Sequence, residues 1–173
     1  LAAGVFGAAA VRGYQSEDPS QPGTVAACLK HFVGYAASEA GHDYAYTDIS
    51  SRMLHETYLP PFQAAVEAGA MTVMSSFNDI TGTPAVINHY TLTEVLRNRW
   101  NFRGFVVSDW DGVVQLVYQG YTSDPAEMCR AALSAGNDME MNSSAYRNLP
   151  KLIESGRLKI EVIDEAVRRV LRI

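Results

Sequence analysis

The chain has 173 residues, of which 47% are hydrophobic and 19% charged. That length allows one domain of ordinary size and hardly two, and the apolar share is enough to bury a core, which excludes a disordered tail. The formal net charge of −5, with Lys and Arg scattered, argues against nucleic acid or an anionic membrane surface as partner, since both need clustered cations.

No stretch approaches the ~20 apolar residues of a membrane span. Leu1-Ala2-Ala3-Gly4-Val5 lacks the Met and the basic residues of an intact signal peptide. It reads as the middle of a helix, and Val170-Leu171-Arg172-Ile173 stops without a cap, so both ends read as cut. Cys28 and Cys129 lie in apolar or helical stretches without C-x-x-C spacing; they are expected to be buried free thiols, and no metal site is expected.

In chain order, residues 1–14 have the small-residue pattern of a closely packed helix, and Ser16 to Gly23 is a loop with two prolines and a glycine. Val25 to Val33 is an apolar run bounded by Gly34, hence a buried strand. A polar loop rich in Tyr, Gly, His and Asp runs to about Asp48. Helix signals resume at Ser50-Ser51, and Met53, Leu54, Tyr58 and Phe62 keep helical spacing, while Pro60-Pro61 should kink or divide that helix. Gly69 is placed to end it. A second strand covers Ala70 to Ser75, followed by the turn-rich Asn78 to Pro84, a helix near 91–100 and a third strand, Phe105 to Ser108.

A short helix near 111–119 precedes one with clear start chemistry, Asp124 as N-cap, Pro125 at N1 and Glu127 at N3. Gly136 ends it, Asp138 to Met141 is a fourth strand, and helices near 144–155 and 160–172 close the chain. The last has Ile160, Ile163, Val167 and Val170 on one face, with Arg168, Arg169 and Arg172 read as a solvated face. Apolar strands alternating with helices predict an α/β fold with a parallel sheet. Four such βα units make half of an eight-stranded barrel or a small doubly wound domain, and in either a ligand binds beyond the C-terminal ends of the strands.

Those ends carry Lys30-His31-Phe32, Ser76-Phe77-Asn78, Ser108-Asp109-Trp110 and Glu140-Met141-Asn142. Charged groups buried there without a ligand would be costly, so the edge is expected to face a solvated cleft; a structural charge network would leave the same pattern. Asp109 follows a strand where an Asp commonly caps a helix, but Asp111 is available for that task. Trp110 offers a flat apolar face, suited to a sugar ring or equally to the core. A carboxylate beside an aromatic, facing Lys and His donors, suits attack at an anomeric carbon. There is no G-x-G-x-x-G, P-loop, G-x-S-x-G or H-E-x-x-H, and nothing completes a metal set around His42-Asp43.

At Cys28 to Tyr35, Tyr58 to Phe62, Ala68-Gly69-Ala70, Leu96-Arg97, Gly104 to Trp110, Ala135 to Met139 and Ile163 to Leu171, the chain resembles glycoside hydrolase family 3 along essentially its whole length. Each stretch is weak alone; in this order they are specific. The resemblance implies a retaining exo-β-glycosidase of the β-glucosidase type acting on β-linked glucosides or oligosaccharides, with no cofactor. Residues 1–173 would be a single partial domain, strands five to eight of a (β/α)8 TIM-type barrel, with the rest of the barrel and a C-terminal domain as partners. It implies Asp109 as catalytic nucleophile, Lys30 and His31 as ligands of the −1 sugar, and Trp110 at the entrance to the +1 subsite.

Two departures concern further substrate-binding positions. Many members have Gly-Arg-Asp where this chain has Gly41-His42-Asp43, so His42 replaces a sugar-contacting arginine, and many have Tyr where Phe77 stands. The Asp-x-His pair of the N-acetylhexosaminidase branch is absent from Gly34 to Asp48. Retaining chemistry needs a second carboxylic acid about 5–5.5 Å from the nucleophile; the resemblance puts it in a later domain, with Glu39 and Asp43 as unfavoured substitutes. The alternatives are a related β-xylosidase, or a non-catalytic half-barrel whose open strand edges pair with a partner half or with a second copy. A periplasmic or secreted location is the one the resemblance favours.

Overall fold

The computed structural model describes residues 2–173. Helix α1 (Ala2–Gln15) leads to strand β1 (Cys28–Phe32). Helix α2 starts at Ser51–Met53, widens over Leu54–Tyr58 and runs on as Leu59–Glu67. Strand β2 (Thr72–Ser75), a small hairpin of β3 (Asp79–Ile80) and β4 (Thr83–Pro84), helix α3 (Tyr90–Arg99) and strand β5 (Phe105–Trp110) follow. Then come α4 (Gln115–Tyr118), α5 (Pro125–Ala135), β6 (Met139–Met141), α6 (Leu149–Glu154) and α7 (Ile160–Val170). Strands β1, β2, β5 and β6 form one parallel sheet in that spatial order, so β1 and β6 are its edges. The expected four βα units are present.

Local chemistry explains most boundaries. Ser50 Oγ accepts from the Met53 amide at 3.1 Å and starts α2. The Leu59 N–H reaches back to the Leu54 carbonyl, a π-type turn that admits Pro60 and Pro61 without ending the helix. Gly69, at φ 94°, closes α2: its amide bonds Val66 O, and the next amide, that of Ala70, bonds Ala65 O. Asp124 Oδ1 accepts from the Ala126 amide at 3.0 Å, as expected of an N-cap before Pro125. The hairpin turn uses Thr81 and Gly82, both with positive φ, which matches the twist of its short strands.

The core forms where helices cover the sheet. Phe32, Val73 and Val106 pack with Leu92, Val95, Leu96 and Phe102 from α3 and the turn after it. A second cluster, Val113, Leu116, Cys129, Ala132, Leu152 and Ala166, joins α4 to α7. Gly104 is forced by backbone approach, since a Cβ there would lie 1.7 Å from the Met71 carbonyl oxygen. Gln15, at the end of α1, donates to Gly69 O at 2.8 Å and accepts from the amides of Ala27 and Met71 at 3.0 and 3.1 Å. One side-chain amide thus ties α1 to the starts of β1 and β2.

Four expectations fail. The first strand is shorter and less buried than expected: it spans Cys28–Phe32, only Phe32 of it is buried, and Val25 is 60% exposed. Cys28 is exposed, because it lies on an edge strand; Cys129 is buried as expected, and burial pushes its thiol up to about 12. In α7, Ile160 and Val167 are exposed while Ala166 is buried. The inward face is Val162, Ala166 and, of the expected residues, Ile163; Arg169 joins it from the expected solvated face by bonding Asp138 Oδ1 at 2.8 Å. Asp111 does not cap α4 with its side chain; it takes a positive φ, and its carboxylate accepts from Asn142 at 3.2 Å.

Candidate active site

The C-terminal ends of β1, β2 and β5 bring His31, Phe77 and Asp109 together. His31 Nε2 lies 2.9 Å from Asp109 Oδ2, with the two side chains 19% and 16% exposed. Asp109 Oδ1 accepts from the Trp110 amide at 2.5 Å. The carboxylate is therefore aimed and partly desolvated, yet it keeps lone pairs without a partner among the described residues. Burial is the main influence on His31 and lowers its pKa; the carboxylates of Asp109 and Asp43 oppose that, and Lys30 adds to it. A neutral imidazole carrying its proton on Nε2 can donate to Asp109 and leave the carboxylate its charge.

The backbone around Asp109 is tightly held. Ser108 Oγ donates to Asp109 O and accepts from the Met141 amide, both at 2.9 Å, which joins the ends of β5 and β6. The Gly112 amide returns to Asp109 O at 2.9 Å, and a Cβ on Gly112 would sit 3.1 Å from that oxygen. At the end of β2, Ser76 and Asn78 bond each other, and Asn78 Nδ2 donates to Thr47 Oγ1 at 2.9 Å. This buried polar seam anchors the long 34–48 loop beside the site.

The predicted substrate-binding residues divide. Phe77 is buried in an aromatic group, 5.5 Å from His31, 5.0 Å from Tyr35 and 4.5 Å from Tyr44 between ring centres. Trp110 is 57% exposed, so its ring is not part of this chain's core. Lys30 is exposed, and its charge is felt at His31. His42 is exposed, and the bonds it makes are those of its backbone, so the structure does not draw it into the cluster. At the fourth strand end, Glu140 accepts from Ser143 Oγ and the amides of Ala145 and Tyr146, which ties it to the turn that follows β6.

Two residues missed by sequence reasoning belong here. Tyr35 donates to Asp43 Oδ1 at 2.6 Å and packs edge-on against His31 at 5.2 Å. Tyr44 covers Phe77. The tyrosine-rich composition of the loop was the available signal. Among the described residues no three His, Cys, Asp or Glu side chains gather in a way that could hold a metal ion, and no helix is long and apolar enough to cross a membrane.

The model of the glycosyl hydrolase family 3 N-terminal domain matches residues 2–173. A periplasmic β-glucosidase from Salmonella typhimurium is 38% identical over 98% of this chain, which covers 22% of that protein. A putative β-xylosidase from Formosa agariphila is also 38% identical, over 86% of the chain and 20% of its own length. The crystal structure of a β-glucosidase from Listeria innocua in complex with isofagomine superposes with a TM-score of 0.94 at 39% identity, covering 96% of this chain and 24% of that one. The chain therefore spans about a fifth to a quarter of the length of these relatives. With the family model matched along all described residues, the chain belongs to glycosyl hydrolase family 3.

Proposed function

We propose that this chain carries the nucleophile of a retaining exo-β-glycosidase that removes terminal β-D-glucosyl residues. The observation that carries this reading is the Asp109 carboxylate at the end of β5, held by His31 and open beside the exposed Trp110. In this reading Asp109 attacks the anomeric carbon and forms a covalent glycosyl-enzyme while a carboxylic acid outside this chain protonates the departing oxygen. Water, deprotonated by the same residue now acting as base, then attacks from the face the leaving group vacated, opposite Asp109, and breaks the glycosyl–Asp109 bond, so two displacements retain configuration. Lys30 and His31 hold hydroxyls of the −1 sugar, His42 and Phe77 stand where many members have Arg and Tyr, and Trp110 lines the way to the +1 subsite.

By the same reading β1, β2, β5 and β6 are strands five to eight of a (β/α)8 barrel, completed by residues outside this chain. The short span of the chain along its relatives and the two free sheet edges support it. The periplasmic relative supports a periplasmic or secreted location. The test is a slow 2-fluoroglucoside with a good leaving group, applied to the full-length protein. Label on Asp109 is the expected result; label elsewhere, or inversion in the product, would overturn the assignment.

The 38% identity to a putative β-xylosidase favours one second reading, a β-xylosidase on the same chemistry. The ratio of kcat/KM on aryl β-glucoside and aryl β-xyloside separates the two. The two unpaired edges also leave room for a non-catalytic half-barrel that pairs with a second copy. A monodisperse monomer on sizing of the isolated 173-residue chain would count against that.

A further inference from the structure

We propose that Tyr35, fastened to Asp43, is a positioning residue for the nucleophile: it clamps the His31 imidazole so that Nε2 stays on the Asp109 carboxylate. The inference rests on Asp109 being that nucleophile.

His31 has one hydrogen bond to Asp109, and its ring would be free to turn about that contact without side support. The support comes from two ring edges, Tyr35 at 5.2 Å and Phe77 at 5.5 Å, themselves 5.0 Å apart. Phe77 is fixed by its place after β2. Tyr35 follows Gly34, which has a positive φ of 91°, and depends on the Tyr35–Asp43 bond of 2.6 Å to hold its ring. Tyr44, next to Asp43, closes the group by lying 4.5 Å from Phe77. The chain Asp43–Tyr35–His31–Asp109 thus links an exposed loop to the reacting carboxylate.

Asp43 contributes a second effect through its charge. The groups facing His31 are Asp109 from β5, Lys30 from β1, and Asp43 with Tyr35 from the loop. Burial and Lys30 favour the neutral imidazole, whereas Asp109 and Asp43 favour the charged one. Removing the Asp43 charge therefore moves the His31 titration to lower pH.

The experiment is the rate at which a dinitrophenyl 2-fluoroglucoside labels Asp109 in the full-length enzyme, measured against pH and reagent concentration. The good leaving group makes the rate report on the nucleophile and not on the acid. Tyr35→Phe keeps the ring and loses the bond; Asp43→Asn keeps an acceptor for Tyr35 and loses the charge. Tyr35→Phe should lower the limiting rate roughly tenfold with the half-saturating concentration and melting temperature little changed. Asp43→Asn should move the His31-dependent limb of the pH profile to lower pH. If both variants change only half-saturation or melting temperature, the bond is a loop staple and the clamp is wrong. If the wild-type enzyme is not labelled on Asp109, the assignment of the nucleophile fails, and the clamp with it.

Discussion

The two ends of the parallel sheet each hold an aspartate among cations or imidazole, and they use it in opposite ways. At the N-terminal end Asp138, 1% exposed, accepts from Arg97 at 2.6 Å, Arg169 at 2.8 Å and the Val106 amide at 2.8 Å. Arg97 goes on to the carbonyls of Gly104 and Gly136 at 3.1 and 3.0 Å. At the C-terminal end Asp109 has one imidazole and one neighbouring amide. A buried carboxylate that accepts from two guanidinium groups and an amide holds a fold together. One that is 16% exposed and accepts from one imidazole and one amide keeps room for a ligand, which is what the proposed role of Asp109 requires.

The sharpest way to break the comparison is Asp109→Asn, which should cost the full-length enzyme at least about 10⁴-fold in kcat/KM on an aryl β-glucoside while thermal unfolding stays near wild type. The mirror variant, Asp138→Ala, leaves Arg97 and Arg169 facing each other without a counter-charge. It should destabilise by about 3–5 kcal/mol in denaturant unfolding, or abolish soluble expression. A large activity change with wild-type stability there would blur the division between the two ends.

Acid sharpens it further. Burial lowers the His31 pKa, so between that value and the ordinary 6.5 the unfolded chain binds more protons than the folded one. The His31 contribution is present above pH 6.5 and is lost as the pH falls through the folded value. Asp109→Asn removes the nearest carboxylate that favours the imidazolium, and should move the His31 resonance titration to still lower pH by NMR. The smallest effect belongs to neither end: Asp124→Ala removes the N-cap of α5 and should cost about 1 kcal/mol in chemical denaturation, with activity unchanged.

The alternation of apolar runs with helical spacing made the four βα units legible, and Gly69, Asp124 and Gly136 marked ends where their backbone chemistry requires them. The site was legible as residue types at strand ends, because a parallel sheet delivers all those ends to one edge; His31 meets Asp109 for that reason. What stayed hidden were partnerships across the chain. Periodicity told that α7 is amphipathic but not that Arg169 would turn inward to Asp138, and Asp111 read as a cap although Asn142 claims its carboxylate. The bond between Tyr35 and Asp43 was not legible, since no spacing rule says which phenol will find which acid.

The Gln15 amide draws together distant parts of the chain. Its three partners lie 12, 54 and 56 residues further along the chain, at Ala27, Gly69 and Met71. These partners are far apart in sequence and meet only in the folded chain, where one side-chain amide holds the end of α1 to both strand starts. The three bonds of Gln15 can therefore exist together only in a chain folded through Met71, so they report on the joint docking of α1, β1 and β2.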